Sequence, residues 1–438
     1  MYINSIETIK PSLTKHGKSS ILKLYLKLDG DIMDYIKRAA ERKVIELSKH
    51  FPVVLIIGPR QVGKTTMLKT LAEGKRNYIT LDDPIARNIA ISDPSLFLQR
   101  YNPPVIIDEI QYAPQILPYI KMYVDEHKTN GDFWLTGSQM FHTMKDVSES
   151  LAGRVGILYI LGLSYSEITN CKSTHFSLSS INNFMEKITD RKKLTLKEIY
   201  NLILKGGMPV LYKDEQSLED FFASYMNTYL QRDIKDLTQV GNEMSFLKFV
   251  TSAAARTGHL LNLSDMARDA EITVTTAKNW LSILVSSGIV YLLEPYYNNT
   301  LKRLVKTPKL YFLDTGLCAY LTRWLTPEAL EAGAMAGEFF ETWVVSEIVK
   351  SYYNAGKRPP LYFYRDKDQV EIDLIIEENG TLYPIEIKKS ANPGTQAAKN
   401  FKVLEKTGKL VGTGGVICMY PDLLPFDKNN WYIPAWLI

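Results

Sequence analysis

Residues 53–71 constrain this chain more than any other stretch. Val53 to Ile57 is an unbroken β-branched and leucine run, the pattern of a strand buried on both faces of a parallel sheet. Gly58-Pro59-Arg60-Gln61-Val62-Gly63-Lys64-Thr65-Thr66 follows at once, and Met67 to Leu71 continues as a helix. A strand that turns through two glycines into a helix brings backbone N–H groups and the positive end of the helix dipole to one point. The pattern predicts a phosphate cradle. Gly58, Gln61, Val62, Gly63 and Thr66 form the loop, Lys64 reaches the β- and γ-phosphates, and the Thr65 hydroxyl ligates Mg2+. The expected ligand is ATP with Mg2+.

A second strand supports that expectation. Val105-Ile106-Ile107 is entered after Pro103-Pro104 and ends in Asp108-Glu109. An acidic pair delivered by a buried strand lets Asp108 hold the Mg2+ shell and Glu109 polarise the attacking water. A third strand, Phe133-Trp134-Leu135, ends in Thr136-Gly137-Ser138-Gln139, where Ser138 or Gln139 is placed to sense the γ-phosphate. Arg154, in a Gly-flanked turn that closes this core, is the first candidate for an arginine finger, and Arg232 in the helical region beyond is the second. Structural salt bridging is the simpler reading of each.

At 438 residues the chain is too long for one core, and length suggests two to four domains. Apolar content of 45% and charged content of 23% are those of a soluble globular protein. No stretch has the length of a membrane span or the pattern of a signal peptide, so a cytoplasmic location without membrane contact is expected. Cys171, Cys318 and Cys418 lie far apart and lack metal-ligand spacing, which excludes a disulfide framework. A net charge of +4 permits a nucleic-acid partner without arguing for one.

The residues of the three strand ends resemble the AAA-type branch of P-loop ATPases. The chain is also similar to a large prokaryotic family that joins this ATPase to an uncharacterised C-terminal domain. The shared phrases are Val54 to Leu68, Leu81-Asp82-Asp83-Pro84, Ile107 to Gln111, Leu135 to Gln139, Leu151 to Val155, Gly206 to Pro209, Tyr229 to Ile234 and Leu310 to Leu317. Residues 170–193 read as a longer connection than the pattern needs. The resemblance and the residue patterns together imply an α/β chain with an AAA-type P-loop NTPase core on a parallel sheet, a helical lid, a winged helix and a C-terminal α/β nuclease-like domain. The expected divisions are a leader at 1–32, the ATPase core at 33–160, the lid region at 161–245, the winged helix at 246–310 and the nuclease-like domain at 311–438.

The winged-helix expectation rests on a short helix from Leu263 with Ser264 as its cap, a turn at Glu271-Ile272-Thr273, and a second helix from Val274 to Ser287 ended by Gly288. Lys278 and Asn279 are its exposed contacts. Lys302, Arg303, Lys306 and Lys309 make the wing basic enough for phosphate contact.

Asn379-Gly380 between two alternating apolar runs is the strongest short-range hairpin signal in the chain. A two-residue turn there sets Ile372 opposite Ile387, Leu374 opposite Ile385 and Ile376 opposite Tyr383, one apolar face. The other face sets Asp373 against Glu386 and Glu371 against Lys388. Directly opposed carboxylates, about 5 Å apart at Cβ, are destabilising unless something positive lies between them. A divalent metal would resolve the conflict, with Lys388 as catalytic support and not a ligand. Asp373…Glu386-Ile387-Lys388 resembles the signature of the PD-(D/E)xK nuclease fold, in which a preceding helix adds an acidic residue; Glu341 fits that role.

The leading expectation is an ATPase that couples nucleotide state to a winged helix and a nuclease-like domain acting on DNA or RNA. The alternative is a nucleotide-gated signalling or remodelling ATPase whose C-terminal domain binds protein and does not cleave. Assembly into homo-oligomers fits either.

Overall fold

A strand whose every side chain is apolar needs cover on both faces, and β1 (Val53–Ile57) has it. Val54 and Ile56 join one core while Val53, Leu55 and Ile57 join another. The computed structural model describes residues 35–138, 147, 149–213, 216–229, 243–297 and 307–438. The expected leader, Gln139, Arg232 and the wing residues Lys302, Arg303 and Lys306 lie outside them. Four strands join β1 in one parallel sheet: β2 (Asn77–Thr80), β3 (Val105–Asp108), β4 (Phe133–Gly137) and β5 (Val155–Tyr159), in the order β2-β3-β4-β1-β5. Helices α1 (Glu41–His50), α2 (Lys64–Ala72), α3 (Pro84–Ser92), α4 (Pro94–Arg100) and α5 (Leu117–His127) accompany it. Because β4 lies between β1 and β3, three neighbouring strand ends deliver the glycine-rich loop, a polar turn and the acidic pair to one edge.

Beyond β5 come α6 (Tyr165–Ile168), α7 (Asn182–Asp190), α8 (Leu196–Lys205) and α9 (Leu218–Tyr229). Capping boxes at Ser164/Glu167 and Thr195/Glu198 start α6 and α8. The connection at 170–193 crosses to the far end of the chain. Ser177 Oγ donates to Glu378 Oε2 at 2.6 Å, and Lys187 Nζ to Leu437 O at 3.3 Å.

Next in order are α10 (Glu243–Ala254), β6 (His259–Leu260), α11 (Leu263–Asp269), α12 (Val274–Ser286), β7 (Val290–Pro295) and β8 (Lys309–Phe312). Thr273 caps α12, accepting from Thr276 N at 3.1 Å. The cap of α11 is Asn262, not the expected Ser264, since Ser264 already lies inside the first turn and Asn262 accepts from Asp265 N at 3.1 Å.

The remaining elements are α13 (Thr315–Leu321), α14 (Pro327–Ala332), α15 (Ala336–Asn354), β9 (Leu361–Arg365), β10 (Glu371–Glu378), β11 (Thr381–Ile387), β12 (Leu410–Val411), β13 (Gly414–Cys418), β14 (Leu424–Pro425) and β15 (Asn430–Pro434). β7 pairs with β8 on one side and with β9 on the other, so a single sheet runs across the 310/311 division. In the hairpin, Asn379 and Gly380 take φ of 51° and 79°, and Leu374 pairs with Ile385 and Ile376 with Tyr383, the expected register. One detail differs. A register shift against β9 between Ile372 and Ile375 puts Ile372 in the core opposite to that of Leu374, Ile376, Ile385 and Ile387. Among the described residues no helix is long and apolar enough to cross a membrane.

Lys187 on α7 is 9% exposed, and burial, with Arg191 beside it, depresses its ammonium to about 7 from an ordinary 10.5. Its folded value lies below its unfolded one. Between these two values the unfolded chain binds more protons, so this residue makes stability rise with pH across that window and level off above it. Lys187→Met is expected to raise stability at pH 7 and below by up to roughly 4 kcal/mol and to flatten that rise. Urea unfolding of both forms at pH 6, 8 and 10 checks it, the variant-minus-wild-type difference shrinking as pH rises.

Candidate functional site

The site begins where β1 ends. Gly58 passes so close to the segment after β5 that a Cβ there would lie 1.9 Å from Ile160 O, and only glycine fits. Gly63, at φ 88°, turns the chain into α2. Lys64 is buried, and its Nζ donates to Gly58 O at 2.9 Å and Pro59 O at 2.7 Å, which wraps the loop round the ammonium. One residue on, Thr65 Oγ1 donates to Asp108 Oδ1 at 2.7 Å. The buried Asp108 carboxylate also accepts from Thr136 Oγ1 at 2.5 Å and from the Tyr78 hydroxyl at 3.2 Å. Burial and then the Asp108 charge push the Tyr78 phenol up, so it stays a donor. A carboxylate ringed by hydroxyl oxygens is the donor chemistry that a hard Mg2+ selects, so the residues present fit that ion.

Glu109 takes a left-handed conformation, φ 59° and ψ 52°, which costs a non-glycine residue roughly 1–2 kcal/mol. Its N–H is held by Thr136 Oγ1 at 3.0 Å. The turn aims the carboxylate at the end of β4, where Oε2 accepts from Ser138 Oγ at 2.9 Å and from Gln111 Nε2 at 2.5 Å. Ser138, expected as a sensor, therefore touches the expected catalytic carboxylate. Backbone strain of this kind concentrates at functional sites.

Arg154 is elsewhere. It precedes β5, and its carbonyl accepts from Val53 N at 3.2 Å, at the start of β1. The five residues of β1 separate it from the loop by about 16 Å along the strand. Its guanidinium holds Asp125 with two bonds, 2.5 and 2.9 Å. Arg154 thus stands at the opposite end of β1 from the loop, in the salt bridge that was its simpler reading.

Sequence reading gave no role to Arg38, which the structure places behind the loop. It is almost fully buried. Nε donates to Glu167 Oε1 at 2.9 Å, Nη1 to Val62 O at 2.5 Å and Nη2 to Leu161 O at 2.8 Å. Burial pushes the Glu167 carboxyl up, but Arg38 and the N–H groups of Ser164 and Ala39 outweigh it and hold it below the ordinary range. Two later segments also run close beside the loop. A Cβ at Gly63 would lie 3.7 Å from Pro209 Cγ, and one at Gly288 would lie 3.0 Å from Pro59 Cγ. Gln111, Thr136 and Tyr78 were missed as well; Thr136 and Gln111 stood within recognised phrases, whereas nothing in the β2 pattern marks Tyr78.

The second expected cluster does assemble. Asp373 and Glu386 are buried on the paired strands β10 and β11. Lys388 Nζ lies 3.2 Å from Asp373 Oδ2 and 2.7 Å from Glu386 Oε2. Burial, then the Asp373 charge, pushes the Glu386 carboxyl up. Glu341 on α15 faces the same group and is also pushed up, by burial first and Asp373 second. Lys309, expected as a phosphate contact of the wing, is instead buried, with Nζ 3.3 Å from Glu341 and 2.6 Å from Glu371. Glu371 also pairs with Arg365 at 3.2 Å, and not with Lys388. The positive charge demanded between Asp373 and Glu386 is thus supplied by Lys388, while Lys309 answers Glu341 and Glu371, and this arrangement does not fit a divalent ion as it stands. Among the described residues no group of three or more His, Cys, Asp or Glu is arranged to hold one. A cavity of about 600 Å3 adjoins the cluster, lined by His259, Lys309, Arg365, Glu371 and Lys388 among others.

Residues 50–169, which carry the whole loop, acidic pair and polar turn, match the AAA domain family. The match covers the phosphate-loop core and not the rest of the chain. Residues 196–328 and 336–438 match two domains of unknown function, DUF8612 and DUF4143. Uncharacterized proteins Rv2008c of Mycobacterium tuberculosis and Mb2031c of Mycobacterium bovis are each 29% identical over 362 residues, covering 82% of this chain and 75% of theirs. Among solved structures, the Walker-type ATPase PABY2304 of Pyrococcus abyssi is 13% identical, covering 66% of this chain and 96% of its own, with a TM-score of 0.43. The RuvB Holliday junction branch migration motor of Thermotoga maritima is 16% identical, covering 57% and 88%, with a TM-score of 0.29. Both likenesses are confined to part of the chain.

Proposed function

We propose that this chain is a Mg2+-dependent AAA-type ATPase whose nucleotide state is coupled to its C-terminal modules, and that those modules act on nucleic acid. The observation that carries the ATPase reading is the convergence of Lys64, Thr65, Asp108, Glu109 and Ser138 on one sheet edge. Thr65 and Asp108 would hold Mg2+, which when bound neutralises charge on the β- and γ-phosphates. Lys64 binds those phosphates. Glu109 takes a proton from the attacking water, and Ser138 fixes the carboxylate that takes it.

Coupling is supported by two sets of contacts. Pro209 and Gly288 lie so near the loop that a Cβ added at Gly63 or Gly288 would meet the other side. On α15, Glu347 Oε2 accepts from Tyr165 N at 2.8 Å and Lys350 Nζ donates to Leu163 O at 3.1 Å, so the helix that bears Glu341 is tied to the segment leaving the ATPase sheet.

We read α10 to β8 as a winged helix and the hairpin domain as PD-(D/E)xK-like. Support for nucleic acid is the exposure of Lys278 and Asn279 on α12. A second reading, in which the C-terminal domain binds protein and cleaves nothing, is favoured by the lysines that neutralise its carboxylates. ATP turnover measured with and without duplex DNA or RNA separates the two: stimulation of about tenfold supports the first, and none supports the second. Nuclease chemistry predicts DNA cleavage in Mn2+ or Mg2+ that Asp373→Ala and Glu386→Ala abolish. Cleavage unchanged in both variants rules this site out as its source.

A further inference from the structure

Among the described residues, Gln111 beside the acidic pair leaves a buried polar atom unanswered. Its Nε2 donates to Glu109 Oε2 at 2.5 Å and to Ser138 Oγ at 3.1 Å. The opposite amide orientation would set one oxygen against the carboxylate, so the hydrogen-bond chemistry decides which atom faces Glu109. Oε1 is then buried and has no partner among the described residues. A buried acceptor left unpaired costs roughly 1–3 kcal/mol, and such an atom calls for an explanation. The whole group sits at the end of β3, on the edge where the phosphates of a nucleotide would end.

We propose that Gln111 is a water-positioning residue: Nε2 fixes the Glu109 carboxylate while Oε1 accepts one hydrogen of the attacking water. The inference rests on the ATPase reading above. A water has two hydrogens, and a nucleophile is aligned only when both are assigned. Glu109 takes one as the base, and Gln111 Oε1 holds the other. The water oxygen then forms a bond to the γ-phosphorus, the bond from that phosphorus to the β–γ bridging oxygen breaks, and ADP leaves. The proton passes to Glu109 and onward to the phosphate. Because both residues act on one water, their losses overlap and do not add.

The test uses the full chain with ATP and Mg2+, comparing wild type, Gln111→Ala, Gln111→Asn, Glu109→Gln and the Glu109→Gln/Gln111→Ala double variant. Gln111→Ala is expected to lower kcat about 10- to 100-fold with KM and the Kd of a fluorescent ATP analogue within about twofold. Gln111→Asn, one methylene short, does not recover it. The double variant is no slower than Glu109→Gln alone. Wild-type kcat in Gln111→Ala overturns the proposal, as does a fall matched by weakened ATP binding, which marks a structural role. Wild type that binds ATP analogue but turns over no ATP overturns the ATPase reading and this inference together, whereas active wild type with an equally active Gln111→Ala overturns this inference alone.

Discussion

Glu109→Gln is expected to bind ATP as tightly as wild type and to hydrolyse it at least about 100-fold more slowly. The substitution is isosteric, and the new amide oxygen can still accept from Ser138 Oγ and Gln111 Nε2, the two donors now on Oε2. Thr136 keeps its hold on the backbone N–H. The strained turn and the phosphate loop therefore survive, and the group that removes the proton from water is lost. Analogue binding by fluorescence and phosphate release at saturating ATP check the two halves separately. Turnover within tenfold of wild type would mean that another group is the base.

Arg38→Ala is expected to destabilise the fold by about 3–5 kcal/mol. The guanidinium answers three acceptors at once, and its partner Glu167 is equally buried, with side-chain exposures of 2% and 1%. Removing the cation strands a buried carboxylate and frees the carbonyl of Val62, inside the phosphate loop. Weaker ATP binding should accompany the lost stability. Replacing both members by Met, which leaves no unpaired charge, is expected to cost less than Arg38→Ala alone. Urea unfolding of the three forms decides it. If Arg38→Ala unfolds within 1 kcal/mol of wild type, the clamp contributes little.

These two residues also mark what could be read from the chain alone. Glu109 was legible because a short buried strand leads directly to it, and the glycine-rich loop because its residues are consecutive. The hairpin register was legible because a two-residue Asn-Gly turn sets every pair after it. Arg38 was not, since its partners lie 24, 123 and 129 residues away. Distance also hid Lys309, whose contact with Glu341 spans 32 residues and turns an expected wing contact into an internal counter-ion. Arg154 reads as a finger in a Gly-flanked turn, and only the packing of α5 shows Asp125 beside it. The shift at Ile372 depends on β9, a strand outside the hairpin. Local pattern thus predicted elements and strand ends, while long-range charge pairing had to be observed.

The most direct test is Mg2+-dependent ATP turnover by the purified chain and by Lys64→Ala. Wild type is expected to release phosphate until Mg2+ is chelated, and Lys64→Ala, whose side chain is the cation inside the loop, to release none above background. Equal release by the two proteins, or a wild-type chain that fails to bind ATP at millimolar concentration, would contradict it.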